Sequence, residues 1–206
     1  MPFRPFHPRR GIRAALFLLC ALFPLLANCD VFNLVSFNNS PPGKTTTIIL
    51  IRHAERDPGA DPPLNAEGQA RAQILIDVLG ENGVTAIYSP DVLRNRQTID
   101  PLAAHLGITV QPWSPAFYVD TTAFADAVVN DILANNAGGT VLFVGNVGSQ
   151  IFGGTPGINA EIYKRLGGTG TPPERYQDMY IINVPETGPA RFIKTIYGPK
   201  STLDPA

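Results

Sequence analysis

The stretch Thr45-Thr46-Thr47-Ile48-Ile49-Leu50-Ile51 constrains the chain more than any other, because it is a β-branched apolar run that empties directly into Arg52-His53. The run has no alternation of apolar and polar residues. Both faces of the strand it predicts must therefore be covered, as at the centre of a parallel sheet. In such a sheet, ligands bind in the crevice beyond the carboxyl ends of the strands. Arg52 and His53 would be delivered there. A cation beside an imidazole at that place points to chemistry on an anion, with phosphate the first candidate.

The rest of the body alternates strand and helix. Asn65 reads as an N-cap with Glu67 in the first turn, and Ala66, Ala70, Ile74 and Val78 recur every fourth residue beside Leu75 and Leu79. Gly80 and Gly83 end that helix, and Val84–Tyr88 reads as a second strand. A helix over 91–106, a short strand Ile108–Val110 and a helix over 122–135 follow. Thr140–Gly145 repeats the character of the first run, Ile158–Leu166 reads as a short helix, and Met179–Val184 and Arg191–Tyr197 as a hairpin. The pattern predicts an α/β fold with a mostly parallel sheet and an antiparallel C-terminal edge.

The N-terminus is of another kind. Arg4, Arg9, Arg10 and Arg13 precede residue 30, where there is no Asp or Glu, so the body is more acidic than the formal net charge of −1 implies. An acidic body gives no reason to expect nucleic-acid binding. The apolar run Ala14–Ala27 is interrupted by Pro24 and falls short of the roughly 20 residues that span a bilayer. Residues 1–29 therefore read as an export signal rather than a membrane span, which places the domain in a bacterial periplasm or cell envelope. Leu26-Ala27-Asn28-Cys29 resembles a lipobox, which would attach the chain to a membrane through a lipidated Cys29. Ordinary cleavage near Ala27, with Cys29 incidental, is the alternative, and both stay open. Residues 30–44 read as a flexible linker, 45–200 as the folded domain and 201–206 as a tail. No Cys follows residue 29, so the body has no disulfide, thiolate metal site or Cys nucleophile.

Arg94 falls in the first turn of the helix predicted from residue 91. A cation there opposes the helix dipole unless an anion joins it, which makes Arg94 a second candidate phosphate ligand. Arg96 points about 200° away around the helix and reads as a surface residue.

These blocks together resemble the histidine phosphatase superfamily, the phosphoglycerate-mutase-like group. Arg52-His53-Ala54-Glu55 matches its Arg-His-Gly/Ala-Glu signature. Asp61-Pro62-Pro63-Leu64-Asn65-Ala66-Glu67-Gly68 matches the segment opening its first helix, and Ser89 through Arg94 to Gln97-Thr98 matches its Ser-x4-Arg-x2-Gln-Thr block. Thr140–Gly145 matches the strand before its second histidine. The resemblance implies a three-layer sandwich with helices on both faces of the sheet. It implies His53 as a nucleophile that forms a phosphohistidine, its other ring nitrogen held by a backbone carbonyl. Arg52 and Arg94 would grip the phosphoryl oxygens. No metal or cofactor is implied, and the partner would be a phosphorylated small molecule or a phosphoprotein. A proton donor for the leaving group is sought between Ala116 and Asp126, with Asp120 the first candidate and Asp126 the second. Glu55 reads equally as part of the chemistry or as a structural carboxylate.

One departure qualifies the expectation. The family has Gly-His-Ser where this chain has Gly145-Asn146-Val147, and neither of the other histidines, His7 and His105, is placed to substitute. Asn146 would offer the phosphoryl group a neutral hydrogen bond in place of a charged one. Two readings follow: a phosphatase-like enzyme of reduced activity, or a catalytically inactive phosphate-binding pseudoenzyme.

Overall fold

The apolar run forms β1 (Thr46–Arg52) near the middle of a six-stranded sheet in the computed structural model, which describes residues 39–113, 120–148 and 157–204. Ile48 and Leu50 face one layer of the core and Ile49 and Ile51 the other, none more than 4% exposed. That double burial is why the run shows no period of two. The predicted signal with Cys29, the first part of the predicted linker, and residues 114–119, 149–156 and 205–206 lie outside the described residues.

The remaining elements follow in order: α1 (Ala66–Leu79), β2 (Val84–Pro90), α2 (Leu93–Leu106), β3 (Gln111–Trp113), α3 (Thr121–Asn135), β4 (Thr140–Gly145), α4 (Ile158–Arg165), β5 (Asp178–Val184) and β6 (Arg191–Ile196). Across the sheet they run β3-β2-β4-β1-β5-β6. The first four of these are parallel, β5 is antiparallel to β1, and β6 to β5. Leu75 and Leu79 of α1 and Ile99 and Leu102 of α2 pack with Ile49, Ile51, Leu142 and Val144. Val128 and Ile132 of α3 and Ile158 and Ile162 of α4 pack with Ile48, Leu50, Val141 and Phe143. The molecule is thus the expected three-layer α/β sandwich with an antiparallel C-terminal edge.

This topology creates the crevice. β1 and β4 are neighbours in register, with Arg52 opposite Gly145. The chain leaving β1 goes to the α1/α2 layer and the chain leaving β4 goes to the α3/α4 layer. Two adjacent parallel strands whose continuations part to opposite faces leave a gap at their carboxyl ends.

Local chemistry sets the helix starts. Asn65 caps α1 by accepting from the Gly68 N–H at 2.9 Å. A Cβ on Gly68 would stand 2.1 Å from the Glu55 carbonyl oxygen, so only glycine lets α1 lie against the segment that follows His53. Three expectations are corrected. The third strand is Gln111–Trp113 rather than Ile108–Val110, because Gly107 at φ +65° and Ile108 are used to close α2, whose Ala103 carbonyl accepts from the Ile108 N–H at 2.9 Å. The linker ends earlier than residue 44: Ser40 is buried, and its hydroxyl donates to the Val184 carbonyl at 2.6 Å. Residues 201–204 are no loose tail. Ser201 is buried, and Thr202 donates through its N–H and hydroxyl to the Glu67 carboxylate at 2.9 and 2.6 Å.

Glu55 and Arg71 form an ion pair at 2.7 Å with side chains 0% and 1% exposed. Arg71 Nη1 and Nη2 also donate to the carbonyls of Tyr197 and Pro199 at 2.9 and 2.8 Å. Removing one member of such a pair leaves a buried charge without its counterion. Arg71→Met is therefore expected to lower unfolding stability by about 3–5 kcal/mol in urea titration at pH 7. A loss under 1 kcal/mol would show that the pair does not carry this weight.

Candidate active site

His53 is the first residue beyond β1, and its backbone N–H donates to the Gly145 carbonyl at 3.0 Å, which continues the β1–β4 ladder by one step. The side chain is 3% exposed. Burial, then the charge of Arg52, then those of Arg94 and Arg56 hold its pKa well below the usual imidazole value, against the opposing effect of the Ala54 carbonyl. The ring is accordingly neutral near pH 7. Nδ1 lies 2.8 Å from the Ala54 carbonyl oxygen. A carbonyl can only accept, so Nδ1 carries the proton and Nε2 keeps its lone pair.

The motif blocks hold this loop in place. The Thr98 hydroxyl accepts from the Ala54 N–H at 2.9 Å and donates to the Arg94 carbonyl at 2.7 Å. Gln97 Oε1 accepts from the Leu64 N–H at 2.8 Å. The Ser89 hydroxyl and Asn95 Nδ2 donate to the Val144 carbonyl at 3.2 and 3.0 Å. The Ser-x4-Arg-x2-Gln-Thr pattern thus ties β2 and α2 to the ends of β1 and β4. Asn159 of α4 makes the matching tie from the other layer, donating to the Ile51 carbonyl at 3.0 Å.

Arg94 is 6% exposed, with Nε donating to Asn146 Oδ1 at 3.1 Å and Nη1 bonded to Asp61 Oδ1 at 2.9 Å. Asn146 is therefore next to Arg94, one residue beyond β4 as the sequence implied. A guanidinium can only donate, so the amide must turn its oxygen toward Arg94. Its Nδ2 is then left buried without a partner. Arg52 Nη1 and Nη2 donate to the Glu174 carbonyl and the Tyr176 hydroxyl at 2.9 and 3.0 Å, while its Nε is buried without a partner. Arg56 Nε is in the same condition. The unpaired buried groups on Arg52, Arg56 and Asn146 are all donors.

The structure brings His53, Arg52, Arg94 and Asn146 together and puts Asp120 to another use. Asp120 is exposed and caps α3, its Oδ1 accepting from the Ala123 N–H at 2.9 Å. What the structure gives Asp120 is this capping role. Asp126 pairs with Arg165 Nε at 2.6 Å, between α3 and α4. Glu55, bound to Arg71, is structural. Arg96 is a surface residue paired with Asp91 and Asp100. The carboxylate that does reach an arginine of the site is Asp61, whose Oδ2 also accepts from the Leu93 N–H at 3.1 Å at the start of α2. Its place at the head of the Asp-Pro-Pro-Leu segment was the only signal for it. Arg56 and Tyr176 were missed as well. Among the described residues, no group of three or more His, Cys, Asp or Glu is arranged to hold a metal.

Comparison with known proteins agrees with this geometry. Residues 48–115 match the model of the histidine phosphatase superfamily (branch 1). Over 72 residues the chain is 38% identical to the 8-oxo-(d)GTP phosphatase of Mycolicibacterium smegmatis, a match covering 32% of this chain and 22% of that protein. The chain thus spans about a fifth of that relative's length. In fold it is similar to the protein histidine phosphatase SixA complexed with tungstate, at 15% identity and TM-score 0.51 over 73% of this chain and 96% of the other. It is also similar to an Escherichia coli protein whose assignment as an alpha-ribazole-5'-P phosphatase is provisional, at 13% identity and TM-score 0.56 over 77% and 99%. Residues 48–115, which carry the Arg-His-Ala-Glu and Ser-x4-Arg-x2-Gln-Thr blocks, thus match the histidine phosphatase superfamily, and the sheet as a whole has the fold of its solved members.

The depressed pKa of His53 has a stability consequence. The unfolded imidazole titrates near 6.5, whereas the folded one stays neutral well below that. As pH falls through about 6.5 the unfolded chain takes up a proton that the folded chain does not, so stability drops by up to about 1.4 kcal/mol per pH unit until the folded pKa is reached. Urea unfolding at pH 7.5 and 5.0 should therefore show a larger acid loss for the parent protein than for His53→Gln. Equal losses would mean that His53 is not held neutral.

Proposed function

We propose that this domain binds the phosphoryl group of a phosphomonoester beside His53 and, without a metal, transfers it to Nε2. The observation that carries the reading is the set of buried donors without acceptors on Arg52, Arg56 and Asn146, gathered around a neutral imidazole. Groups that only donate are satisfied by an anion with several acceptor oxygens, as in a phosphoryl group.

Nε2 attacks phosphorus in line, the P–O bond to the alcohol breaks, and the leaving alkoxide takes its proton from solvent water. Water then attacks phosphorus, the P–N bond breaks, inorganic phosphate departs, and the neutral imidazole is restored. Arg52 and Arg94 take up the charge of the equatorial oxygens. Asn146 adds one neutral donor through Nδ2. Replacing a charged contact to the transition state by a neutral one costs on the order of 10²–10³ in rate. Turnover is therefore slow. That same loss favours a second reading, in which the domain binds phosphate esters without hydrolysing them. The substrate is a phosphorylated small molecule or a phosphoprotein. The basic and apolar character of residues 1–29 supports export to the periplasm or cell envelope, with Cys29 as a lipid attachment point.

Mass spectrometry of protein quenched during incubation with a phosphomonoester is expected to find phosphate on His53, and His53→Ala is expected to abolish both the adduct and turnover. Turnover without an adduct, unchanged in His53→Ala, would sink the enzyme reading. Asn146→His restores an imidazole beside Arg94, and steady-state assays should find kcat raised at least about tenfold. No rise would place the defect elsewhere in the site.

A further inference from the structure

Tyr176 belongs to none of the motifs, yet it touches both residues of the Arg52-His53 pair. It lies in the turn preceding β5 and is 6% exposed. The Arg52 guanidinium stacks over its ring, with Cζ 3.8 Å from the centroid. Its hydroxyl accepts from Arg52 Nη2 at 3.0 Å. The same ring meets the His53 imidazole edge-on, centroids 5.9 Å apart and planes at 68°. Two residues earlier in the turn, the Glu174 carbonyl accepts from Arg52 Nη1 at 2.9 Å. One short turn therefore supplies a face and two acceptors to one guanidinium.

The turn is itself held at several points. Asp178 Oδ2 accepts from the N–H groups of Glu174 and Arg175 at 3.1 and 2.9 Å. Asp204 Oδ2 accepts from the Tyr176 N–H at 3.2 Å. An arginine side chain left to itself samples many rotamers and loses that freedom on binding an anion. Arg52 has already lost it. Each Nη spends one N–H on the turn and keeps another, and Nε is buried without a partner. The two acceptors hydrogen-bonded to Arg52 are neutral, so the carboxylates of Asp204 and Glu55 act on its charge only from a distance.

We propose that Tyr176 is a positioning residue for phosphoryl binding: its ring and hydroxyl lock the Arg52 guanidinium so that the remaining N–H groups face the oxyanion beside His53. The inference rests on the reading that a phosphoryl group binds at Arg52 and His53. Tyr176 then governs how tightly the oxyanion is held and acts only through Arg52.

Isothermal titration with orthovanadate tests this on the whole protein and four variants. Tyr176→Phe keeps the stack and loses the hydroxyl, and should weaken vanadate binding about fivefold. Tyr176→Leu loses both and should weaken it about 30-fold or more. In an Arg52→Ala background, adding Tyr176→Leu should change affinity less than about twofold, since the group it positions is gone. A contribution through packing alone would instead give the same loss in both backgrounds, and that result overturns the inference. So does full affinity in Tyr176→Leu while Arg52→Ala is impaired, which leaves the phosphoryl-binding reading intact. If the unsubstituted protein fails to bind vanadate, both fall together.

Discussion

The buried pair of Glu55 and Arg71 is the interaction around which the rest of the site closes. Glu55 lies two residues beyond His53, and its carboxylate is fully buried. Taking two charges out of water is costly, and their attraction offsets that cost only where other hydrogen bonds satisfy the remaining donors. Here Arg71 gives Nε and Nη2 to Glu55, and Nη1 and Nη2 also reach the carbonyls of Tyr197 and Pro199. The pair thereby draws the segment after β6 across α1. That segment goes on to bond Glu67 through Thr202 and the Tyr176 N–H through Asp204. Tyr176 returns to Arg52, three residues before Glu55. The chain of contacts leaves the Arg-His-Ala-Glu motif at its last residue and re-enters at its first. Such a pair is better understood as fixing one arrangement than as a large source of net stability.

Much of this fold was legible from sequence because its strongest signals are local. β1 could be read because burial on both faces erases the alternation of a half-exposed strand. α1 could be read because Asn65, Glu67 and the apolar stripe all act within one helix. The motif residues Arg52, His53, Arg94 and Asn146 could be placed because each sits one turn or less from the end of a strand. Asp120 shows how one residue type serves two roles at one place. The same preference that puts Asp near the start of a helix makes it an N-cap, and a cap is the commoner use of an aspartate there.

What could not be read depends on distant partners. Arg71 looks like an ordinary helical arginine until the Tyr197 and Pro199 carbonyls are brought to it from about 126 residues away. Tyr176 lies in a polar turn with no period or cap to mark it. Ser40 sits in a stretch whose composition is that of a linker. Its hydroxyl nonetheless bonds the Val184 carbonyl and Thr46 Oγ1, and so seals the sheet beside the start of β1. A small polar residue is neutral evidence from sequence, and the backbone groups that it satisfies decide its role.

The two arginines of the site are not equivalent. Arg94 faces the Asp61 carboxylate at 2.9 Å, so part of its charge is met by the protein itself. Arg52 is hydrogen-bonded to a phenol and a carbonyl, and the carboxylates of Asp204 and Glu55 act on it only through space. The order of influence on His53 agrees, because Arg52 depresses the imidazole pKa more than Arg94 does. On the proposed reading, a phosphoryl group at His53 meets, from the β1 side, a guanidinium that neutral acceptors hold in place. On the β4 side it meets Asn146 and a partly compensated Arg94. Where the family signature has a second imidazole, this chain places an amide beside the arginine that Asp61 already faces. On that reading, binding draws on Arg52 and is preserved better than turnover, which needs charge on both sides of the phosphorus.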